Sequence, residues 1–440
     1  MNKRHIAALS LCMLMSSWLA ACNGEDKKAD STAPAAEPKS YANEPAELVI
    51  FGQVGNTQDV WNERFGNALT QKFPKYKFTY IQATAQNTLQ NAITAGQTID
   101  LIHDSLGGMR TNIIGNGLQT DLTPLMKTHQ IDTSRFEPAV FQALTDQGKL
   151  YGFPLHDGGL VLYYNKDIFD KFGVAYPKNG MTWDEAIELG KRLTRYDSGT
   201  QYIGLGVSVD HMLTMNPYSL PFVNEAGKAA INTDAYRKLV TKTILQPTEA
   251  DGYKQHITGL KRTYNNDNFM KDKNMAMFVM NFYLQLQPDF NTFNWGIVSL
   301  PVFSDLPGVG TQPYPNGLFV SSTSKFKDQG MEVLNYLVSD EFQTMLSRKG
   351  FIPVVKTDSV RKAFALDTDY KNKNVDQALF TNKPAAPIVR HPYENLVSAP
   401  LKTNLTKVIT GELDLNTALR MTEEEANKAL EAKASEAGRK

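Results

Sequence analysis

Tyr151-Gly-Phe-Pro-Leu-His-Asp-Gly-Gly-Leu-Val-Leu-Tyr-Tyr-Asn-Lys-Asp167 sets a proline and a glycine pair in front of an uninterrupted apolar run. Pro154 and Gly158-Gly159 fix or free the backbone. Leu160 to Tyr164, apolar at alternate and intervening positions alike, predicts a strand buried on both faces. Lys166 to Phe172 then predicts a short helix closed by Gly173, and Pro177 marks a turn. Thr182-Trp183-Asp184-Glu185 reads as a capping box, in which the Thr182 hydroxyl caps a helix and Glu185 reaches back. That helix places Ala186, Leu189, Gly190 and Leu193 on its inner face.

The same alternation runs upstream. Leu48-Val49-Ile50-Phe51 is a short apolar run ending at Gly52, as at the C-terminal end of a buried parallel strand. Trp61, Phe65, Leu69 and Phe73 recur every four residues, as a helix that Pro74 stops. A strand at 77–82, a helix around 88–95 and a strand at 99–103 leading into Asp104 follow, with a turn expected at Gly107-Gly108. Strand and helix alternate with short connections, which predicts an α/β fold with mostly parallel sheets. Ligands of such sheets sit beyond the C-terminal strand ends. Gln53 to Gln58 and His103 to Gly108 are therefore the segments to watch.

The chain begins with what reads as an export signal. Lys3 and Arg4 supply a positive start, and Ile6 to Leu19 is an apolar stretch shorter than the roughly 20 residues a spanning helix needs. It closes on Leu19-Ala20-Ala21-Cys22, which resembles the lipobox of bacterial lipoproteins. The resemblance implies removal of residues 1–21 and a diacylglycerol thioether on Cys22. That lipid would hold the protein on the extracytoplasmic face of the cell membrane. Residues 22–45 are dominated by Ala, Pro, Glu, Lys, Asp and Ser with almost nothing to bury, so a flexible tether is expected. Such a coil spans about 26 Å on average and at most ~75 Å.

Composition narrows the function classes. Cys12 and Cys22 are the only cysteines in 440 residues, so the mature body carries no thiol for a disulfide, a metal site or a nucleophile. Loss of Lys3 and Arg4 leaves 44 basic against 46 acidic residues, a net of −2. That balance lacks the concentrated positive field a nucleic-acid partner needs. No Gly-x-Ser-x-Gly, His-Glu-x-x-His, phosphate loop or Gly-x-Gly-x-x-Gly occurs. Ser208, Asp210 and His211 are neighbours without the flanks of a nucleophilic site. The seven histidines lack metal-ligand spacing, and Asn265-Asn266-Asp267-Asn268 lacks the spaced acids of a calcium loop. No cofactor and no metal are expected.

Five motifs remain. They are Gly117-Leu-Gln-Thr-Asp-Leu-Thr-Pro124, Gly152-Phe-Pro154 leading into Leu162-Tyr-Tyr-Asn-Lys-Asp167, Thr182-Trp-Asp-Glu-Ala186, Met275-Ala-Met-Phe278, and Pro315-Asn-Gly-Leu-Phe-Val320 running into Ser324-Lys325. Through these, in this order, the chain from Glu47 onward resembles the family 1 extracellular solute-binding proteins, relatives of the maltose-binding protein. The resemblance implies a two-lobe, periplasmic-binding-protein-like α/β fold of class II. Residues 46–155 with 316–353 would form one lobe, and 156–315 with 354–440 the other. Chain crossings are expected near Pro154 to Gly158, at 301–315 and near Gly350 to Val355, with hinge closure on the ligand. In the second lobe Ala418, Leu419, Ala426 and Leu430 form an apolar stripe on a charged terminal segment.

The implied function is a monomeric, non-catalytic receptor that passes a carbohydrate to the permease subunits of an ABC transporter. A polyamine, a peptide or another small solute, or a sensing role for a membrane signalling protein, are alternatives in the same fold. A glycan hydrolase is the remote one. A sugar shows hydroxyls at its edges and apolar C–H faces, so its site pairs carboxylates and amides with flat rings. Family position puts a hydroxyl acceptor at Asp104, which also fits a cap on the following helix. Asp157 lies at the first crossing, where a hinge hydrogen bond competes with ligand contact. Tyr283 falls where relatives carry a stacking tryptophan, with core packing as the other reading. Asn281, Phe282, Trp295, Asn316 and Gln53 complete the candidates. Tyr163-Tyr164 resembles the iron-holding pair of distant receptors, but lies in the strand where this family packs aromatics.

Overall fold

The computed structural model describes residues 40–54, 56–287, 290 and 292–437. The signal, Cys22 and the tether up to residue 39 lie outside the described residues. No helix among the described residues is long and apolar enough to cross a membrane.

Nine strands position the site: β1 (Ala46–Gly52), β2 (Tyr76–Gln82), β3 (Leu101–Ser105), β4 (Gly152–His156), β5 (Leu160–Asn165), β6 (Gly206–Val207), β7 (Met277–Asn281), β8 (Trp295–Ser299) and β9 (Asn316–Val320). They form two sheets, ordered β2-β1-β3-β9-β4 and β6-β7-β5-β8. Each carries its own apolar core. Leu48, Ile50, Ile102, Phe153 and Phe319 anchor the first, and Leu162, Tyr163, Trp183, Phe278 and Trp295 the second. The result is a two-lobe α/β protein.

The sheets are mixed rather than mostly parallel. β1 runs parallel to β2 and β3, but β9 runs antiparallel to β3 and β4, with Phe319 opposite Ile102. β5 is antiparallel to both neighbours, β7 and β8. The reason is the crossings: β9 enters the first lobe from the second and runs back against β3.

Local signals translate directly. The Thr182 hydroxyl accepts from the Glu185 amide at 3.2 Å, and Glu185 Oε2 accepts from the Thr182 amide at 2.7 Å. Gly173 ends the helix Lys166–Phe172 with φ of +62°, a conformation open to glycine. Ala418, Leu419, Ala426 and Leu430 are buried. Three expectations need correction. Gly107-Gly108 is not a turn but lies within the short helix Leu106–Gly108, which begins a helical run to residue 116. A Cβ on Gly108 would fall 2.0 Å from Asp104 Oδ1, so the bare glycine makes room for that carboxylate. The tether ends before residue 45, because the Tyr41 amide donates to Glu332 and its carbonyl accepts from Tyr76. The first lobe extends past residue 353: Val354, Val355 and Val360 pack in its core, and the Val354 carbonyl accepts from the Glu137 amide at 2.9 Å.

Candidate functional site

Chain crossings join the lobes, and Asp157 ties the first two together. Its carboxylate Oδ1 accepts from the amides of Gly158 at 2.8 Å, in the first crossing, and Tyr314 at 2.9 Å, in the second. Its own amide donates to the Ile352 carbonyl at 3.0 Å, on a first-lobe stretch that touches both cores. There Phe351 packs in the first core and Ile352 in the second. Burial is the main cause that pushes the Asp157 carboxyl up to about 7.

In front of this knot lies a cavity of about 620 Å³ between the lobes. The first lobe contributes Val54, Asn56, Arg64, His103, His156 and Asn316 to its wall. The second contributes Asn281, Phe282 and Tyr283, which leave the end of β7 together. Asp157, Gly158 and Tyr314 form the floor. Of the expected residues, five therefore meet on this cleft: Asp157, Asn281, Phe282, Tyr283 and Asn316.

Their chemistry is uneven. Asn281 Oδ1 is buried with no hydrogen-bond partner, while Gly158 gives its amide room: a Cβ there would lie 3.3 Å from that oxygen. The Tyr283 hydroxyl accepts from Asn266 Nδ2 at 3.2 Å, which fixes the ring on the wall. Beyond Tyr283 a side cavity of about 410 Å³ continues along the second lobe past Ser208, His211, Arg262 and Lys402. Asn316 Nδ2 donates to His156 Nε2 at 3.2 Å. Burial lowers the His156 ring to about 4 and the His103 ring to about 3, so both are neutral at ordinary pH.

The other three candidates lie elsewhere. Trp295 is 1% exposed in the second core, its ring 4.8 Å from Phe290. Gln53 does not line the cleft; its amide donates to the His103 carbonyl. Asp104 is buried, accepting from the Ser105 amide at 2.7 Å and from Asn112 Nδ2 at 2.8 Å. Burial pushes its carboxyl up to about 6. It holds the start of the next helical run rather than facing the cleft. Asp104→Ala is accordingly expected to lower folding stability by about 1–3 kcal/mol in denaturant unfolding. Ligand affinity in a calorimetric titration should stay within about twofold, because no cleft group is removed. Tyr163 is likewise core, its hydroxyl 2.6 Å from Gln285 Oε1.

Arg64, His103 and His156 were not foreseen. The apolar positions Trp61 and Phe65 mark a helix but say nothing of Arg64, whose direction follows from a π-helical turn over Asn62–Gly66. His103 falls in a segment marked for ligands, but its type gave no cue.

The family model for bacterial extracellular solute-binding proteins matches residues 55–344. The chain belongs to that family. This solute-binding protein is 25% identical over 244 residues to an arabinooligosaccharide-binding protein of Bacillus subtilis, covering 53% of this chain and 52% of the relative. It is 23% identical over 351 residues to a lactose-binding protein of Rhizobium radiobacter, covering 70% and 77%. Its fold matches an ABC substrate-binding protein from Listeria monocytogenes in complex with cycloalternan, at a TM-score of 0.69 and 19% identity over 88% of this chain and 99% of the other. A sugar-binding protein from Xanthomonas citri matches at 0.66 and 16% identity over 90% and 100%.

Proposed function

We propose that this solute-binding protein is an extracytoplasmic, lipid-anchored receptor that binds a carbohydrate by closure of its two lobes and delivers it to an ABC transporter. The observation that carries the reading is the wall formed by Asn281, Phe282 and Tyr283, where an unpartnered amide oxygen stands beside two aromatic rings. Amide edges satisfy hydroxyls and flat rings cover C–H faces, which is the pairing a sugar needs. The relatives named for arabino-oligosaccharides and lactose, and neighbours solved with cycloalternan or mannobiose, support the same class of solute. A polyamine would require converging carboxylates, and Asp157 is the one carboxylate among the described residues of the wall.

The receptor acts without catalysis in this reading. Ser208 Oγ lies 2.7 Å from His211 Nδ1 in the side cavity, but Asp210 pairs with Lys402 instead of orienting the imidazole. The two lobes move as units, residues 46–155 with 316 to about 360 against 156–315 with the remainder, about the crossings stitched by Asp157. The protein works as a monomer and meets the permease subunits while tethered through Cys22.

Calorimetric titration with neutral and acidic oligosaccharides, polyamines and short peptides tests the solute class. Binding of a glycan class with loss in Tyr283→Ala supports the reading. Binding of a polyamine or peptide alone sinks it. Cys22→Ser tests the anchor: the protein is expected to shift almost wholly from the membrane to the soluble fraction on cell fractionation, since the acyl chains supply the membrane affinity. Retention of the variant on membranes would refute lipid anchoring at this residue.

A further inference from the structure

We propose that the carbohydrate is acidic, and that its carboxylate seats on Arg64 beside His103 on the first-lobe wall of the cleft. The inference rests on the carbohydrate reading and specifies which carbohydrates qualify.

Arg64 is a half-buried cation with no acidic partner among the described residues. One guanidinium nitrogen donates to Asn56 Oδ1 at 3.1 Å, and the guanidinium carbon stands 5.2 Å from the Phe351 ring centroid. Its neighbour Glu63 points outward and pairs with Lys349 at 3.3 Å. The remaining guanidinium N–H groups are left for a ligand. Burying a charge without a directly paired counter-charge is costly, and burial lowers the Arg64 pKa, with the field of Glu63 offsetting part of that. An anion entering the cleft removes that cost.

His103 supplies the second, independent observation. It is 1% exposed and lines the cleft, yet neither ring nitrogen has a hydrogen-bond partner. Trp61 and Phe65 hold the ring, with centroids at 5.3 Å and 5.5 Å. Burial above all, and then His156 and Arg64, oppose protonation of His103, so the neutral imidazole keeps one N–H to donate. His156 is different, since its Nε2 accepts from Asn316 and its Nδ1 lies 3.4 Å from the Asp157 carbonyl. His103 is thus the buried unsatisfied donor on this wall, and Arg64 beside it is the cation with no ion pair among the described residues.

The one carboxylate among the described residues lining this cleft is Asp157, which burial keeps largely protonated below about pH 7. The Asp157 carboxylate has its Oδ1 held by two backbone amides. In the side cavity Asp210 pairs with Lys402 and Asp267 with Lys271. A planar carboxylate matches the guanidinium fork with two parallel hydrogen bonds. A hexuronic acid residue in a glycan supplies that group together with the hydroxyls and C–H face that Asn281 and Tyr283 require.

The test is calorimetric titration of the full chain with matched glycans. The panel is galacturonate and glucuronate oligosaccharides, their methyl esters, the neutral parent oligosaccharides, and sulfated galacto-oligosaccharides. A uronate is expected to bind about tenfold or more tighter than its own methyl ester. Arg64→Gln should shrink that ratio to below about twofold, while Arg64→Lys keeps part of it. Unchanged unfolding curves for both variants separate a binding role from a folding one. Esters or neutral parents binding as tightly as the acids, or no uronate binding at all, would overturn the inference while leaving a neutral-sugar receptor intact. Preference for the sulfated glycans would overturn the carboxylate assignment. Binding of none of the saccharides, with a peptide or polyamine bound instead, would overturn the carbohydrate reading itself.

Discussion

Asp157→Ala is expected to lower folding stability by about 2–4 kcal/mol, read as a fall in the denaturant midpoint. The substitution strips the acceptor from two backbone amides, Gly158 at 2.8 Å and Tyr314 at 2.9 Å, in two different crossings. Each orphaned buried donor costs about 1–3 kcal/mol, less where water reaches it, and this site faces cavities on both sides. The loss falls on the hinge rather than on either core. Small-angle scattering of the unliganded variant should therefore give a larger radius of gyration, with the far-ultraviolet dichroism of the two sheets unchanged. A variant as stable as the parent, with the same scattering, would show that the crossings hold without this carboxylate.

Asp157→Asn separates hydrogen bonding from charge, because the amide oxygen still accepts from both backbone donors. The carboxyl is raised from an ordinary 3.8 to about 7 mainly by burial, so the folded protein holds this proton more tightly than the unfolded chain. The stability this proton contributes is complete below about pH 4 and is lost as pH rises through about 7. Relative to the parent, the asparagine variant is expected to gain melting temperature by a few degrees between pH 4 and 8. A difference flat across that window would mean that Asp157 titrates like an exposed carboxylate.

Much of the fold was legible because its signals are local. The box at Thr182 and Glu185, the αL glycine at Gly173 and the buried stripe of the last helix depend on spacings of a few residues. Sheet direction was not legible, since β9 returns from the other lobe and no property of Asn316–Val320 records that. For the site, segment identity served better than residue type. The end of β7 placed Asn281, Phe282 and Tyr283 on the cleft, and the marked segments Gln53–Gln58 and His103–Gly108 contain Asn56 and His103. Residue type misled at Asp104, inside such a segment, and at Trp295, outside them all. A carboxylate two bonds from the chain satisfies its own helix start, and the indole at the first position of the edge strand β8 turns into the core. Arg64 was invisible for a further reason: a π turn, set by packing, decides its direction.

Tyr283→Ala carries the largest expected effect on binding, a loss of about 2–3 kcal/mol or roughly 30- to 150-fold in Kd for the cognate glycan. The ring stands at the boundary between the main cleft and its side cavity, and no other aromatic ring among the described residues stacks on it. A sugar face covering about 100 Å² of the ring gains ~2.5 kcal/mol at ~25 cal/mol per Å², and directional C–H contact to the ring adds to it. Tyr283→Phe keeps that face and gives up only the 3.2 Å bond from Asn266, so it should stay within about threefold. Lining the cleft predicts this alanine–phenylalanine split, whereas a purely structural role predicts that both variants weaken binding through a common loss of stability. Equal affinities for parent, Phe and Ala would move the solute to another part of the cleft.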